Sequence, residues 1–303
     1  MSLPHFHTGS ESLAATYAAD GTLPSGVVGL ELEDAVMAHM RTLRLRPSER
    51  FVLVGSDGSK LTCELASALP PSGKGGMAQT IRAVVVGRAA HKPPTTEITL
   101  VQGIAVSSRM DQIVRQVTEL GVARVVPLKC MRSTVRLDAD GHEQKRERWQ
   151  RLARAAAEQS MQAAVPQIER PCGLAEAITA VEGCDVVLAA WEEWRGQGVR
   201  AVLHETLQVE TGCPVTSDAA STEGGDVTRA APAAPGRSPD KLHVALFVGP
   251  EGGFDAGETD AMRAAGIRLV SLGPTILRTE TAAVVMAALV LHELGGLGNR
   301  WGM

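Results

Sequence analysis

The sequence lacks the features expected of a secreted, membrane-bound or metal-binding protein. Its five cysteines are scattered, odd in number and form no C-x-x-C pair, which argues against a disulfide framework and against a zinc site. No apolar run approaches the roughly 20 residues that a membrane-spanning helix needs, and the N-terminus has neither the charged nor the apolar region of a signal peptide. We therefore expect a cytoplasmic protein with free thiols, no membrane contact and no metal.

A net positive charge is also missing. The formal charge is −4, whereas proteins that bind nucleic acids usually carry a basic patch. The total conceals an uneven distribution, because residues 205–226 contain five acidic and no basic side chains. Two basic groups stand elsewhere: Arg41, Arg44, Arg46 and Arg50, and then Lys129, Arg132 and Arg136. Net charge therefore argues only weakly against a nucleic-acid partner.

The length of 303 residues, with 44% hydrophobic and 21% charged residues, is typical of a globular chain with two domains. Residues 1–90 have the pattern of a small β-rich unit. Strands are predicted at Val27–Leu32, Phe51–Val54, Lys60–Leu65 and Thr80–Val86, a hairpin turn at 56–59 and a helix at Glu33–Thr42. The prolines at 93 and 94 end this unit, because proline continues neither a helix nor a strand ladder.

Strands and helices alternate in residues 95–303, which predicts an α/β domain with a parallel sheet covered by helices. The predicted strands are Ile98–Val101, Val122–Leu128, Asp185–Ala190, His243–Val248 and Ile267–Leu272. The predicted helices are Met110–Leu120, Glu143–Met161, Leu174–Val181, Ala256–Ala265 and Thr279–Leu294. Residues 211–240 interrupt the pattern with four prolines, four glycines and no large apolar side chain except valine, which predicts a flexible surface insertion.

The segment 249–253, Gly-Pro-Glu-Gly-Gly, joins a predicted buried strand to a helix. Glycine allows positive φ and close approach of a ligand to the backbone, and ligands of open α/β sheets bind at the carboxyl ends of the strands. Asp255 and Glu258 have the spacing of a capping box at the start of the next helix. Taken alone, the loop is equally compatible with a tight structural turn.

The segment 272–282 also follows a strand and enters a helix. Arg278, Glu280 and three threonines precede a helix that is apolar on all sides and is expected to be buried, so these polar groups need partners. Two glycine-proline loops at adjacent strand ends favour a ligand site. The glycine spacing does not match a dinucleotide-binding motif, and residues 68–75 do not match a P-loop.

Together, 249–253 and Leu272-Gly273-x-x-Ile276-Leu277-Arg278-Thr279-Glu280-Thr281-Ala282 resemble the signature of the RsmE family. These enzymes are 16S ribosomal RNA uracil-N3 methyltransferases of the SPOUT superfamily. Residues 109–111, 118–122 and 127–128 resemble the family's first helix, and 157–160 with 165–166 resemble its middle motif. The similarity is collinear from about residue 25 to 295, apart from the insertion.

The resemblance implies a PUA-like β-barrel that binds RNA in residues 1–90 and a SPOUT-type α/β trefoil-knot methyltransferase domain in residues 95–303. It also implies a homodimer, S-adenosylmethionine as methyl donor, and 16S ribosomal RNA or the small ribosomal subunit as partner. The positions that match the family's donor pocket are Leu188, Ala190, Trp191, Val248, Gly249, Pro250, Glu251, Gly252, Gly253, Leu272, Gly273, Ile276, Leu277, Thr281 and Ala282.

Arg278 and Glu280 are the catalytic candidates under this resemblance. Arg278 would stabilise negative charge on the uracil imide; the alternative is a structural ion pair with Glu280 or Glu251. Glu280 would either accept the N3 proton or only fix Arg278. Trp191 and Trp194 would stack on a ligand or pack in the core.

The predicted RNA contacts are Arg41, Arg44 and Arg109. Arg41 and Arg44 would bind phosphate, which gives affinity without sequence choice, or would belong to a solvated charged face. The sequence departs from the family where Gln162, Ala163, Ala164 and Val106 stand near positions that are commonly basic, and lost cations weaken or move RNA contacts.

Two other functions remain open. One is a SPOUT methyltransferase that acts on another RNA or base. The other is a non-catalytic RNA-binding assembly protein, which would have no need of the Arg-Thr-Glu run at 278–280.

Overall fold

The structure is a computed structural model that describes residues 3–9, 24–71, 79–89, 94–134, 139–211 and 241–297. The chain forms two compact units. The first comprises Met1–Pro93 and Gln150–Pro166, and the second comprises Pro94–Trp149 and Gln167–Met303. The predicted insertion at 211–240 lies outside the described residues except for its first residue.

The first unit contains one mixed five-stranded sheet and one helix. Its elements are β1 (His5–His7), β2 (Val27–Leu32), α1 (Asp34–Thr42), β3 (Arg50–Val54), β4 (Lys60–Leu65) and β5 (Gln79–Ala89). The strand order is β1-β3-β4-β5-β2, antiparallel except for the parallel pair β1–β3. The predicted hairpin turn is confirmed, because Asp57 accepts both the N–H and the hydroxyl of Ser59.

The described strands of the first unit do not close into a barrel. β1 and β2 lie at opposite edges of the sheet and do not pair with each other. α1 and the sheet share a core that includes Phe6, Met37 and Phe51. The coarse prediction of a β-rich first unit therefore holds, while barrel closure is not seen in the described part.

The second unit is built on a six-stranded parallel sheet, as the alternating pattern predicts. Its elements are β6 (Thr96–Gly103), α2 (Ser107–Glu119), β7 (Arg124–Leu128), α3 (Ala139–Gln159), β8 (Gln167–Ile168), α4 (Leu174–Thr179), β9 (Val186–Ala190), α5 (Val199–Thr211), β10 (Leu242–Val248), α6 (Ala256–Ala264), β11 (Arg268–Val270) and α7 (Thr279–Glu293). The strand order is β11-β9-β10-β6-β7-β8. Because all pairs are parallel, the carboxyl ends of the strands lie at one edge.

The last turns of α3 pack in the first unit rather than with the rest of residues 95–303. Glu158 accepts the backbone N–H of His7 at 3.4 Å and pairs with Nδ1 of His39 at 2.9 Å. Arg154 lies 3.5 Å from a carboxylate oxygen of Glu33. These polar contacts explain why Gln150–Pro166 belongs to the first unit.

The predicted complete burial of α7 is wrong for part of its surface. Its buried face carries Ala282, Met286 and Val290, among others, but Leu289 is 39% exposed. A helix that is apolar all round can still present one side to solvent when only one side meets the sheet. None of the described helices is long and apolar enough to cross a membrane.

Candidate functional site

A cavity of about 670 Å³ opens at the carboxyl ends of β9, β10 and β11, within the second unit. Three chain segments form most of its wall: 190–196, 248–253 and 271–279, with Arg109 from α2 and Ala282 from α7. The structure thus brings both predicted glycine-proline loops to one cavity. Parallel strands make this meeting possible because their carboxyl ends share an edge.

Most residues predicted to bind the donor line this cavity. They are Ala190, Trp191, Val248, Gly249, Pro250, Glu251, Gly253, Leu272, Gly273, Ile276, Leu277 and Ala282. Three predicted residues do not line it. Leu188 is fully buried within β9, Gly252 faces the backbone of Arg132, and Thr281 is exposed on α7.

The loop at 249–253 depends on glycine at both ends. A Cβ atom at Gly249 would lie 3.1 Å from the backbone of Gly253. Gly253 has φ +67°, and a Cβ there would overlap the Glu192 carboxylate, which would have to move. Backbone conformation therefore disfavours a side chain at Gly253, and close packing disfavours one at Gly249. The expected capping box follows: Asp255 accepts the N–H of Glu258 at 2.8 Å, and Glu258 accepts the N–H of Asp255 at 3.0 Å.

A buried hydrogen-bond triangle joins the two loops below the cavity. Thr279 donates its hydroxyl proton to the carbonyl oxygen of Gly249 at 2.6 Å. The amide nitrogen of Gln102, on β6, lies 2.9 Å from Oγ1 of Thr279 and 3.3 Å from the Gly249 oxygen. Sequence reasoning missed Gln102; its only signal was a polar side chain at the end of a predicted buried strand.

Arg109 is held by two acidic side chains. Its Nη1 lies 3.1 Å from Oε1 of Glu251, and its Nε lies 3.9 Å from Oε2 of Glu280. The hypothesis that Arg278 pairs with Glu251 or Glu280 is therefore wrong, because Arg109 occupies that place. Arg109 lines the cavity, although the sequence assigned it to RNA alone.

The two catalytic candidates differ in their surroundings. Arg278 is exposed, lines the cavity and immediately precedes α7; it forms no ion pair with a described residue. The Glu280 side chain is only 12% exposed, and its Oε2 has no hydrogen-bond partner in the described ranges. The structure therefore presents a free guanidinium at the cavity and, two residues along, a nearly buried carboxylate with a weakly engaged oxygen.

Aromatic and charged side chains after β9 complete the wall. Trp191 and Trp194 line the cavity and also pack against the buried core, so the core-packing alternative holds and stacking on a ligand stays a prediction. Glu192 and Arg195 were not predicted, and both line the cavity. Nη1 of Arg195 donates to the Glu192 carbonyl oxygen at 2.7 Å, which fixes the turn that carries them.

The remaining predicted RNA contacts lie in the first unit. Arg41 donates to the carbonyl oxygens of Pro70 and Pro71 and to Oε1 of Gln79. Arg44 is exposed with φ +55°.

Within the described ranges, no group of three or more metal-binding side chains is found.

The sequence is similar to that of known RNA methyltransferases. Residues 91–291 match the family model of the RNA methyltransferase domain. The ribosomal RNA small subunit methyltransferase E of Mycobacterium bovis is 28% identical over 92% of this chain and 91% of its own length. The protein of the same name from Aquifex aeolicus is 28% identical over 87% of this chain and 94% of its own length.

Solved structures show the same fold. A ribosomal RNA small subunit methyltransferase E from Neisseria gonorrhoeae, bound to S-adenosyl methionine, gives a TM-score of 0.67 at 23% identity, covering 96% of this chain and 98% of that chain. A putative methyltransferase from Legionella pneumophila in complex with the same cofactor gives 0.69 at 20% identity, with the same coverage. With the family model covering about two thirds of the sequence, the chain belongs to the RNA methyltransferase domain family.

Proposed function

We propose that this protein transfers the methyl group of S-adenosylmethionine to N3 of a uridine in the 16S ribosomal RNA of the small subunit. The observation that carries the proposal is the single cavity bounded by 248–253 and 271–279. Relatives that align along most of the chain carry the name ribosomal RNA small subunit methyltransferase E. A ribosomal RNA substrate places the activity in the cytoplasm.

The cavity fits the proposed donor in size and chemistry. Its volume of about 670 Å³ lies within the range of about 300–1,000 Å³ that small-molecule sites occupy. Gly249 and Gly253 leave space that a Cβ would fill. Carboxylates of Glu192 and Glu251 stand on the wall together with the guanidinium groups of Arg109, Arg195 and Arg278. Charges of both signs suit a ligand that carries both a carboxylate and an ammonium group. When bound, this cofactor supplies an already activated methyl group.

The protein's own part is to position the acceptor and manage the N3 proton. Uracil N3 must lose a proton, so negative charge develops on the imide. We assign the stabilisation of this charge to Arg278, an exposed cation on the cavity wall, since Arg109 already holds Glu251 and Glu280. Glu280 is the proposed proton acceptor, because its Oε2 has no hydrogen bond from a described group.

Several finer features belong to the same proposal. The first unit would complete a PUA-like barrel and hold RNA through Arg41 and Arg44. The second unit would contain the trefoil knot of the SPOUT superfamily, and two copies of the chain would form a homodimer. The donor would contact the cavity-lining residues assigned from the sequence, whereas Leu188, Gly252 and Thr281 would not touch it.

The decisive experiment uses small ribosomal subunits from a strain that lacks the gene. The purified protein and isotopically labelled S-adenosylmethionine are added, and nucleosides are analysed by mass spectrometry. We expect one labelled N3-methyluridine per subunit, and labelling that is about 10²–10³-fold slower with Arg278→Ala. A label on another base would overturn the uridine assignment. A protein that binds the donor but labels no RNA would instead support the non-catalytic alternative.

A further inference from the structure

Gln102 is a fully buried polar side chain in the middle of the parallel sheet, and the proposed mechanism gives it no role. Its exposure is 0%. It lies opposite Val248 of β10 and Pro127 of β7, and it is not among the residues that line the cavity. A buried amide costs free energy unless its polar atoms have partners, so its presence at this position requires an explanation.

The hydrogen bonds of Gln102 have only one chemically allowed direction. Its Nε2 lies 2.9 Å from the Gly103 carbonyl oxygen, 3.3 Å from the Gly249 carbonyl oxygen and 2.9 Å from Oγ1 of Thr279. Carbonyl oxygens carry no proton, so the group that faces them must be the amide NH₂. The Thr279 hydroxyl gives its proton to Gly249 and therefore accepts from Gln102.

This network ties together both loops that form the cavity. Gly249 starts the loop 249–253, and Thr279 is the first residue of α7, directly after Arg278. The strand end itself also touches the loop, since a Cβ at Gly103 would lie 2.4 Å from Cδ of Pro250. Consequently, one side chain of the central sheet sets the position of one loop relative to the other.

Stability alone does not account for the amide. Its Oε1 has no hydrogen-bond partner among the described residues, and an unsatisfied buried acceptor is unfavourable. An apolar side chain of similar length would avoid that cost, although it would leave the Thr279 hydroxyl without the hydrogen bond that it accepts from Gln102. The NH₂ group of the amide is therefore the part that contributes to the network, since it donates the hydrogen bonds.

We propose that Gln102 is a positioning residue, whose NH₂ group holds the Gly249 loop and the start of α7 at the separation that the methyl donor requires. The inference rests on the proposed function, because it assumes that S-adenosylmethionine binds in this cavity. Gln102 touches neither donor nor acceptor; it acts through Gly249 and Thr279.

The main test replaces Gln102 with methionine, which has similar length and no NH₂ group. We expect Gln102→Met to raise the calorimetric Kd for S-adenosylmethionine at least ~10-fold, a scale that the loss of hydrogen bonds between buried groups supports. The kcat at saturating donor should fall as well, because Arg278 immediately precedes Thr279 and shifts with the start of α7. Unfolding by urea is measured on the same samples to separate positioning from stability.

Thr279 tests the same network from its other side. Thr279→Val removes the hydroxyl and should weaken donor binding as Gln102→Met does, whereas Thr279→Ser keeps it and should bind within ~2-fold of wild type. The double variant should lose less affinity than the two single losses combined, because both act on one network. Thr118→Val is the matched control: this buried hydroxyl donates to the Val114 carbonyl oxygen within α2, so its loss lowers stability without changing the Kd.

The outcomes separate this inference from the proposed function. If wild type binds the donor and Gln102→Met binds equally well, the positioning role is wrong and the methyltransferase assignment stands. If Gln102→Met does not fold, the pair Thr279→Val and Thr279→Ser decides, and equal affinity in both overturns the role. If the wild type itself fails to bind the donor, the proposed function fails and the inference fails with it.

Discussion

Arg109 and Glu251 form an ion pair of 3.1 Å at the cavity wall. The same Glu251 oxygen also accepts the backbone N–H of Val106 at 3.0 Å. One carboxylate thus connects the loop 249–253 to the first turn of α2. Since Glu280 approaches the other side of the guanidinium, Arg109 is largely neutralised by this protein's own acids.

This pairing predicts that Arg109 contributes to donor binding more than to RNA affinity. Arg109→Ala should weaken S-adenosylmethionine binding several-fold, because Glu251 loses its restraint. In Arg109→Ala, the slope of the logarithm of the RNA binding constant against the logarithm of the salt concentration should remain unchanged. Arg44→Ala should reduce the size of this slope by about 0.7 if the Arg44 side chain neutralises one phosphate. Arg115→Ala, at an exposed position of the same helix, controls for loss of charge. A reduced slope for Arg109→Ala would contradict this view.

Arg278 provides the sharpest test of catalysis. Its guanidinium has no ion-pair partner among the described residues, so Arg278→Ala leaves no described carboxylate unpaired, and the melting temperature should hardly change. We expect kcat to fall about 10²–10³-fold, the typical effect of removing one group that stabilises developing negative charge. Donor Kd, measured by calorimetry, should change less than ~3-fold.

Arg263→Ala serves as the comparison for Arg278→Ala. Arg263 lies in the last turn of α6, and its side chain is 62% exposed, so kcat should be unaffected. An Arg278→Ala variant that loses donor affinity but keeps full kcat would show that Arg278 binds the cofactor rather than stabilising the acceptor.

The parallel sheet and the meeting of its loops could be predicted because they depend on local patterns. Alternating apolar runs and helical spacing locate strands such as β6 and β10, and parallel order then places their ends together. The capping box at Asp255 follows from the same local logic. Each of these features needs only neighbouring residues to be recognised.

The features that sequence patterns missed depend on contacts between distant residues. Nothing near Gln102 indicates that Thr279 will be its partner, and nothing near Arg109 indicates Glu251. Strand β1 has only three residues and exists through its pairing with β3. α5 is different, because Val199, Val202 and Leu203 have helical spacing and are buried; it could have been predicted.

A side chain at Gly253 should destabilise the protein, and Gly266 provides a control for the cost of the positive φ alone. Both have positive φ, +67° and +81°, but a Cβ at Gly266 has no atom within 4 Å. Gly266→Ala should therefore lose only about 1 kcal/mol of stability. Gly253→Ala should lose more and weaken donor binding at least ~10-fold, because Cβ displaces the Glu192 carboxylate and enters the cavity wall.

A second substitution separates the two destabilising effects of Gly253→Ala, which are the strain of the positive φ and the contact with Glu192. Adding Glu192→Ala should return the stability loss of Gly253→Ala to the level of Gly266→Ala, because the contact is gone while the φ strain remains. Urea denaturation and calorimetry measure the two effects. Full donor affinity in Gly253→Ala would show that the loop does not contact the donor.

The first unit should lose stability in mild acid because of His7. Burial, together with the positive charges of Arg154, His5 and Lys60, lowers the pKa of His7 from 6.5 to about 4. The unfolded chain therefore binds more protons between these values, and the unfolding free energy falls as pH decreases from about 6.5 to 4. A shift of this size corresponds to about 3 kcal/mol at the lower end.

A non-titrating replacement isolates this contribution from the other acid-sensitive groups. The difference in unfolding free energy between wild type and His7→Gln should be constant above pH 7 and should shift in favour of the variant as pH falls. The reason is that only the unfolded wild-type chain gains a proton on His7, which the buried imidazole of the folded chain resists. His5→Gln should show a smaller change, since the His5 pKa is also lowered by burial but a backbone hydrogen bond to Leu3 opposes that shift. Parallel curves for wild type and His7→Gln between pH 7 and 4 would contradict this prediction, because they would mean that His7 titrates normally in the folded protein. Water would then have to reach the His7 ring in β1.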